Sequence, residues 1–171
     1  KESTSKTYQR MMTAIDASGA TVITPEPEME FTLGSMTVTI LAPISTKYTD
    51  TNNYSVVMKL EFGETSFMMT GDAEEKSELE ILAKYSADLL KCDVLKVGHH
   101  GSATSTTLDF LKAVSPSIAL ISCGEGNTYG HPYAATLQKL EAAGARIYRT
   151  DEQGSIILTS DGKTVTVKTT K

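Results

Sequence analysis

Residues 93–102 read DVLKVGHHGS, in which an apolar run leads directly into two histidines between glycines. The apolar positions predict a buried strand. Strands of α/β folds often deliver imidazoles to a sheet edge, where they act as metal ligands or catalytic bases. The chain has three histidines, of which His99 and His100 lie here and His131 lies in the later segment YGHP. This concentration of a rare residue type predicts a functional site.

Composition restricts the classes of function. The chain has 171 residues and a formal net charge of −5, so we expect one domain with a full core. The negative charge argues against nucleic-acid binding through a broad basic face, although a metal ion can offset phosphate charge locally. No apolar run approaches the ~20 residues of a membrane span. Cys92 and Cys123 flank strand-like runs, which favours buried free thiols over a disulfide.

Apolar periodicity predicts hairpins in the first half of the chain and βα units in the second half. We expect helices over residues 5–18, 73–90, 105–114 and 132–143, and strands over residues 20–24, 29–33, 36–41, 55–62, 65–70, 94–97, 118–122, 146–148, 155–158 and 164–168. No linker or repeat divides the chain. The pattern therefore predicts one continuous α/β domain over residues 1–171, with a mixed sheet or two stacked sheets.

Asp72 ends the segment FMMTGD, where a predicted buried strand passes into a helix. A carboxylate at the mouth of a sheet can bridge or ligate divalent metal ions. The position also suits an N-cap, with Glu74 favoured by the positive end of the helix dipole. Both roles stay open for Asp72. The apolar stripe of this helix is expected to consist of Leu79, Leu82 and Leu89.

The two adjacent histidines would point to opposite sides if the strand continued through them, so we expect one of them to face the site. A neutral imidazole suits zinc, manganese or iron. Ser102 follows closely and allows two interpretations, a nucleophile with histidine as its base or, like Ser105, an N-cap of the next helix. Because no G-x-S-x-G elbow surrounds Ser102, the cap is favoured.

Three further residues have candidate roles. His131 precedes Pro132, which suits the first turn of a helix, and a helix N-terminus favours anions such as phosphate. Functional and structural roles are equally open for His131. Asn53 lies in a polar loop, where asparagine commonly shapes turns. Asp151 follows the last predicted βα unit, where a turn role is favoured.

Taken together, these segments resemble the ComEC-like hydrolase domains of the metallo-β-lactamase superfamily. The matching pieces are NYSVV at 53–57, TGD at 70–72, LKVGHHGS at 95–102, NTYGHP at 127–132 and YRTD at 148–151 with Gly154. Order and spacing match from about residue 3 onward. The resemblance implies an αββα sandwich and hydrolysis by a metal-activated water, with single-stranded DNA or another phosphodiester as substrate.

The resemblance also assigns roles to individual residues. Asp72 would be a metal-bridging ligand and His99 a ligand of the second metal ion, zinc or manganese. His131 would complete the catalytic set beside the scissile phosphate. His100, Ser102 and Asn53 would contact the substrate, with Asn53 in the region of a ligand that the superfamily usually places on histidine. The choice between the two adjacent histidines as ligand stays open.

The sequence departs from the superfamily in one important respect, because it contains no H-x-H-x-D-H motif. That motif usually follows the first strands of the domain, so we expect this chain to represent the C-terminal two thirds of the fold, an N-terminally incomplete sandwich. Two protein ligands fall short of the three or four that hold zinc firmly. We therefore expect weak metal binding and poor catalysis unless the N-terminal segment is supplied.

Two other functions remain open, a catalytically silent structural or partner-binding module and a small-molecule esterase or lactonase of the same fold. Exposed sheet edges would also permit a homodimer by strand exchange. As part of a ComEC-like channel the domain would lie at the extracytoplasmic face of the membrane, and otherwise it would be soluble.

Overall fold

The computed structural model describes residues 3–171. Its helices are α1 (Lys6–Ser18), α2 (Glu75–Lys84), α3 (Ala87–Leu90), α4 (Leu108–Val114), α5 (Ala134–Ala142) and α6 (Thr150–Gln153). Its strands are β1 (Glu30–Leu33), β2 (Met36–Ala42), β3 (Val57–Phe62), β4 (Thr65–Met69), β5 (Val94–Lys96), β6 (Ile118–Ile121), β7 (Arg146–Arg149), β8 (Ile156–Ser160) and β9 (Val165–Thr169). Short 3-10 turns lie at Thr51–Tyr54 and Gly98–Gly101.

Seven strands form one mixed sheet in the order β1-β2-β3-β4-β5-β6-β7, and β8 and β9 form a separate hairpin. Strands β1 to β4 pair antiparallel, whereas β4 to β7 pair parallel. The predicted change from hairpins to βα units and the mixed α/β fold are therefore confirmed. None of the helices described is both long and apolar enough to cross a lipid bilayer.

Helices cover one face of the seven-stranded sheet and form the main hydrophobic core with it. On that face Met68, Leu95 and Ala119 are successive register partners, and all are fully buried. They belong to one cluster with Ile81 of α2 and Phe110 of α4. Each large side chain buried in this way contributes about 1.5–3 kcal/mol. This core fixes the parallel strands whose carboxyl ends carry the histidine segments.

The opposite face of the sheet is apolar and only partly covered. Leu60 pairs with Phe67 and Met58 with Met69, so all four side chains point to this face. The β8–β9 hairpin lies over part of it and leaves an open groove of about 370 Å³, lined by Leu33, Ser35, Met36, Leu60, Phe62, Phe67, Met69, Leu158 and Ser160. Met69 is 37% exposed. Leu60 and Phe67 are half-buried on the same face.

Two predicted elements are wrong. Residues 20–24 form no strand, because they are exposed and pair with no strand of the described chain. The single helix predicted over residues 73–90 is divided in two, because α2 ends before Tyr85. Tyr85 has an extended backbone, and its ring packs against the core. Ser86 then caps α3, accepting a hydrogen bond from the N–H of Leu89. Of the predicted stripe, Leu82 packs on the core, whereas Leu79 and Leu89 are exposed.

Asp72 does not cap α2, contrary to the N-cap alternative. The side-chain oxygen of the buried Asn53 instead accepts hydrogen bonds from the N–H groups of Glu74 and Ser77, at 3.2 and 3.1 Å. A side chain that is distant in sequence thus satisfies the free donors of the first turn. The carboxylate of Asp72 is left available for other contacts.

The starts of the next two helices also differ from the predictions. Thr107 caps α4 by accepting from the N–H of Phe110, so neither Ser102 nor Ser105 has this role. Ser105 is buried and donates to the carbonyl of Ala73 at 2.8 Å. Because α5 begins at Ala134, residue 132 lies outside its first turn.

Glu78 holds the segment between β5 and α4 against α2. Its carboxylate is buried and accepts hydrogen bonds from the N–H groups of Thr106 and Thr107, at 2.5 and 2.8 Å. Burial raises the pKa of Glu78, and its hydrogen bonds together with the charge of Lys139 act in the opposite direction. The segment that follows the two histidines is therefore fixed by a buried carboxylate.

We predict that Glu78→Gln destabilises the fold. The amide presents only one acceptor oxygen, so one of the two N–H donors loses its partner, at a cost of about 1–3 kcal/mol. Denaturant unfolding measures this loss of free energy. The same substitution at the exposed Glu141 of α5 is the control and should leave the unfolding midpoint almost unchanged. Equal stability of both variants would contradict the assigned role.

Candidate functional site

The histidines meet at the carboxyl ends of neighbouring parallel strands. Asp72 follows β4, His99 and His100 follow β5, and the loop with His131 follows β6. Crevices at the carboxyl ends of parallel strands are common binding sites in α/β sheets. The ring centroids of the three histidines lie 5.4–6.5 Å apart. All three histidines of the sequence thus belong to one cluster.

The two adjacent histidines do not continue the strand, so the expectation that only one of them faces the site is wrong. His99 and His100 have φ values of 47° and 55° and form a left-handed turn. This conformation costs about 1–3 kcal/mol for each non-glycine residue and is concentrated at functional sites. It directs both imidazoles towards His131.

Gly101 allows the β6 loop to approach this turn. Its φ is 84°, and a β-carbon there would lie 2.6 Å from Cβ of Pro132. Any side chain at this position would therefore displace the loop that follows β6. The N–H of Tyr133 also donates to the carbonyl of Gly101 at 3.0 Å. Close backbone packing at one glycine thus sets the position of His131.

His100 is the histidine that lies beside Asp72. Its Nδ1 is 2.6 Å from the carbonyl oxygen of Ser122, which only accepts, so Nδ1 carries the proton and donates. In the neutral ring Nε2 then has a free lone pair, and it faces Oδ1 of Asp72 at 3.5 Å. Two electron-pair donors that face one another in this way suit a shared proton or a bound cation.

His99 is oriented by Glu74, a site residue that the sequence interpretation treated only as a helix-dipole contact. Nδ1 of His99 lies 3.1 Å from Oε1 of Glu74. The same oxygen accepts from Thr104 Oγ1 at 2.8 Å and from Asn52 Nδ2 at 3.3 Å. Carboxylates commonly orient imidazole ligands through the second ring nitrogen. The sequence feature that could have indicated this role of Glu74 is its position as a second carboxylate, two residues after Asp72.

His131 is held by Asn127 rather than by a helix N-terminus. Its N–H donates to Asn127 Oδ1 at 3.0 Å, and Asn127 Nδ2 donates to the carbonyls of Gly124 and His131. Burial lowers the pKa of His131, His99 and His100 lower it further, and Asp72 raises it. The neutral imidazole is therefore favoured at this position.

Lys96 adds a partly buried cation to the site, and the sequence interpretation assigned it no role. Burial lowers its pKa, whereas the charge of Asp72 and the neighbouring Cys123 raise it. Its Nζ donates to the carbonyl of Val97 at 2.8 Å. Lys96 thus provides positive charge close to the carboxylate of Asp72.

Asn53 and Ser102 are buried and support the fold at this point. Asn53 caps α2 as described, and Ser102 Oγ lies 3.0 Å from Thr104 Oγ1. The structure therefore does not bring either side chain to the surface beside the histidines. Asp151 lies in α6, and its carboxylate pairs with Arg149 through two hydrogen bonds of 3.1 and 2.6 Å, an ion pair that the predicted turn role did not include.

The chemistry of the donors suits a divalent metal ion, but their number does not complete a site. Imidazole and carboxylate ligands fit zinc or manganese. Among residues 3–171, however, no group of three or more His, Cys, Asp or Glu side chains could hold a metal ion. The assignment of Asp72 and His99 as ligands stays a prediction, and the contact that the structure contains is Asp72 with His100.

The chain is similar to several bacterial proteins over about two thirds of its length. It is 40% identical over 117 residues to ComE operon protein 3 of Bacillus subtilis (strain 168) and 39% identical over 116 residues to competence protein ComA of Neisseria gonorrhoeae. It is also 37% identical over 117 residues to recombination protein 2 of Haemophilus influenzae. Each similarity covers 68% of this chain but only 14–17% of the relative. No family model matches the chain.

Cys123 is predicted to be an unreactive thiol although it borders the histidine cluster. Burial raises its pKa to about 11, and Asp151 contributes to this shift. At pH 8 only about one thiol in a thousand is then ionised, so alkylation by iodoacetamide should be roughly 100-fold slower than for free cysteine. Mass spectrometry of timed reactions measures the rate. The buried Cys92, whose pKa is raised to about 12, is an internal control and should also react slowly. Rapid labelling of Cys123 would contradict the prediction.

Proposed function

We propose that this site takes part in metal-dependent hydrolysis of phosphodiesters in single-stranded DNA, within a metallo-β-lactamase-like αββα sandwich, and that the reaction serves DNA uptake. The observation that carries the proposal is the cluster of all three histidines with Asp72 and Glu74 at one sheet edge. Left-handed backbone at two adjacent histidines supports a functional rather than a packing role.

The partly covered sheet face supports the proposed sandwich. Strands β2 to β4 present apolar side chains there, and the β8–β9 hairpin covers only part of them. In an αββα arrangement a second sheet packs about 10 Å above such a face. Exposed apolar side chains such as Met69 would then become core residues.

Within this proposal the residues of the chain have distinct tasks. Asp72 and Nε2 of His100 form a partial ligand set, and His99 presents its own Nε2 because Glu74 engages its Nδ1. A divalent ion at such a site supplies a polarised water molecule. The imidazole N–H of His131 would donate to a phosphate oxygen and stabilise the charge that develops there.

The names of the relatives support the link to DNA uptake. One is named as a competence protein and another as a recombination protein. Because the chain spans about 15% of the curated relatives' length, the reaction of the whole proteins and its setting are part of the proposal.

The first test is a titration with Mn²⁺, in which proton NMR measures binding. The chain has three histidines, all in the cluster, so its imidazole signals report this site alone. We expect Mn²⁺ to broaden all three signals, and we expect Asp72→Asn to raise the required concentration at least about tenfold. Asp109→Asn, at an exposed aspartate of α4, is the matched control and should change nothing. Broadening that is insensitive to Asp72→Asn would overturn the ligand role.

The same variants test hydrolysis of an end-labelled single-stranded oligonucleotide in the presence of Mn²⁺. We expect slow cleavage, because the described residues supply fewer than three converging ligands. Cleavage should fall at least about tenfold in Asp72→Asn and stay unchanged in Asp109→Asn. No cleavage, or equal cleavage by the two variants, would refute the hydrolytic function for this chain.

Glu74→Ala tests the orientation of His99 separately from ligand loss. Without the carboxylate the ring can rotate, and the loss of such a partner typically costs 10- to 100-fold in metal affinity. The NMR titration should therefore show weaker broadening of the His99 signals, whereas Glu74→Gln should retain more affinity because it keeps an acceptor for Nδ1. Glu75→Ala, at the exposed neighbouring position, is the control. Unchanged Mn²⁺ affinity in Glu74→Ala would contradict this role.

A second candidate function is a non-catalytic module that binds a partner through the open sheet face. The incomplete ligand set among residues 3–171 and the apolar groove favour it. It differs from the first candidate in the NMR titration, since a module of this kind leaves all three histidine signals sharp at millimolar Mn²⁺.

A further inference from the structure

Tyr129 is an exposed aromatic residue at the edge of the histidine cluster. It is 76% exposed, so it contributes little to the core. Its ring lies nearly parallel to that of His131, with centroids 5.9 Å apart and an interplanar angle of 26°. A single exposed aromatic residue is unremarkable by itself. Its parallel alignment with a site histidine requires a separate explanation.

The loop that carries Tyr129 is held in a defined conformation. Asn127 bonds to the carbonyls of Gly124 and His131 and to the N–H of His131, which closes the loop on itself. Gly126 and Gly130 have φ values of 65° and 73°, in the left-handed region that glycine adopts readily. The backbone thus presents the tyrosine ring in a position that no packing contact with the core imposes.

A cleft of about 470 Å³ lies beside this ring. It is lined by His100, Ser122, Cys123, Gly124, Asn127, Tyr129 and His131, and this set contains no carboxylate. Three acidic residues lie nearby: Asp72 faces Nε2 of His100 at 3.5 Å, Glu125 pairs with Lys171 at 3.3 Å and Asp151 pairs with Arg149 at 2.6 Å. Because no carboxylate lines the cleft itself, its walls permit the approach of an anionic backbone.

We propose that Tyr129 is a stacking platform for a base of single-stranded DNA, which places the adjoining phosphate beside His131. This inference rests on the proposed function and adds the residue that recognises the substrate class. Aromatic side chains bind unpaired bases through their faces with little sequence preference. Tyr133, 44% exposed and 5.5 Å from the ring of His131, provides a second aromatic wall.

A stacking platform of this kind would give a preference for single strands without a basic surface. Bases inside a duplex are already stacked, so an exposed tyrosine face gains nothing from them unless they are unpaired. A chain with a net charge of −5 obtains little affinity from the phosphates. Stacking next to the reacting group supplies affinity that does not depend on net charge.

The test measures the binding of fluorescently labelled oligothymidine by fluorescence anisotropy, at low salt and in the presence of EDTA. EDTA removes any contribution of a metal ion from the measured affinity. We expect Tyr129→Ala to weaken binding roughly five- to 50-fold, and Tyr129→Phe, which keeps the aromatic face, to stay within about twofold of the original chain. Phe31→Ala is the control, because this exposed aromatic residue lies on β1, away from β5 and β6 in the sheet.

A base-free oligonucleotide of the same length separates stacking from backbone contacts. We expect it to bind more weakly to the original chain and to be unaffected by Tyr129→Ala. Equal losses for both oligonucleotides, an unchanged affinity of Tyr129→Ala for oligothymidine, or no measurable binding by the original chain would each overturn the platform.

The outcome is distinguishable from failure of the proposed hydrolysis. Cleavage that depends on Asp72, combined with oligothymidine binding that is indifferent to Tyr129→Ala, rejects the platform alone. Loss of binding in Tyr129→Ala, combined with histidine signals that Mn²⁺ does not broaden, rejects the hydrolytic site and retains the contact with single-stranded DNA.

Discussion

The left-handed turn at Gly98–Gly101 connects the elements from which the site is built. The N–H of His99 donates to the carbonyl of Gly71 at 3.0 Å, which joins the turn to the segment after β4. The carbonyl of Gly101 accepts from Tyr133 at 3.0 Å, which joins it to the segment before α5. Because these bonds need φ values that β-branched or bulky residues avoid, the turn limits which residues can occupy it. The histidines themselves bear the backbone strain.

Buried polar groups keep the surrounding loops in place. Asn53 fixes the start of α2, and Glu78 fixes the segment after the turn. Each side chain accepts hydrogen bonds from two N–H groups of residues that lie more than 20 positions away in the sequence. A loop whose donors are satisfied by buried acceptors loses several hydrogen bonds together when it opens. The positions of Glu74 and His99 therefore depend on acceptors outside the site as much as on the residues in it.

The sequence could predict the elements but not the contacts between them. Alternating apolar residues located both hairpins of the first half, and glycines marked the turns at Gly63 and Gly162. The same alternation placed His99 and His100 on opposite sides, because periodicity carries no information about a left-handed turn. The sequence offered Asp72 as one candidate for the cap of α2, whereas the acceptor is Asn53. Residue propensities report interactions between neighbours in the sequence, whereas the cap from Asn53 joins residues that are more than 20 positions apart.

The open groove on the sheet lies next to the proposed ligands Asp72 and His100, which are fewer than a metal ion requires among residues 3–171. Met69, which is exposed on that face, is the register partner of Lys96, and the charge of Asp72 acts on Lys96. The groove on the sheet and the histidine site are therefore adjacent, with Met69 and Lys96 between them. A second sheet packed on Met58, Leu60 and Phe67 would end beside Asp72 and could place further ligands there. The proposed sandwich and the proposed metal chemistry therefore both require a second sheet on this face. Packing of that sheet would complete the sandwich and supply the further ligands.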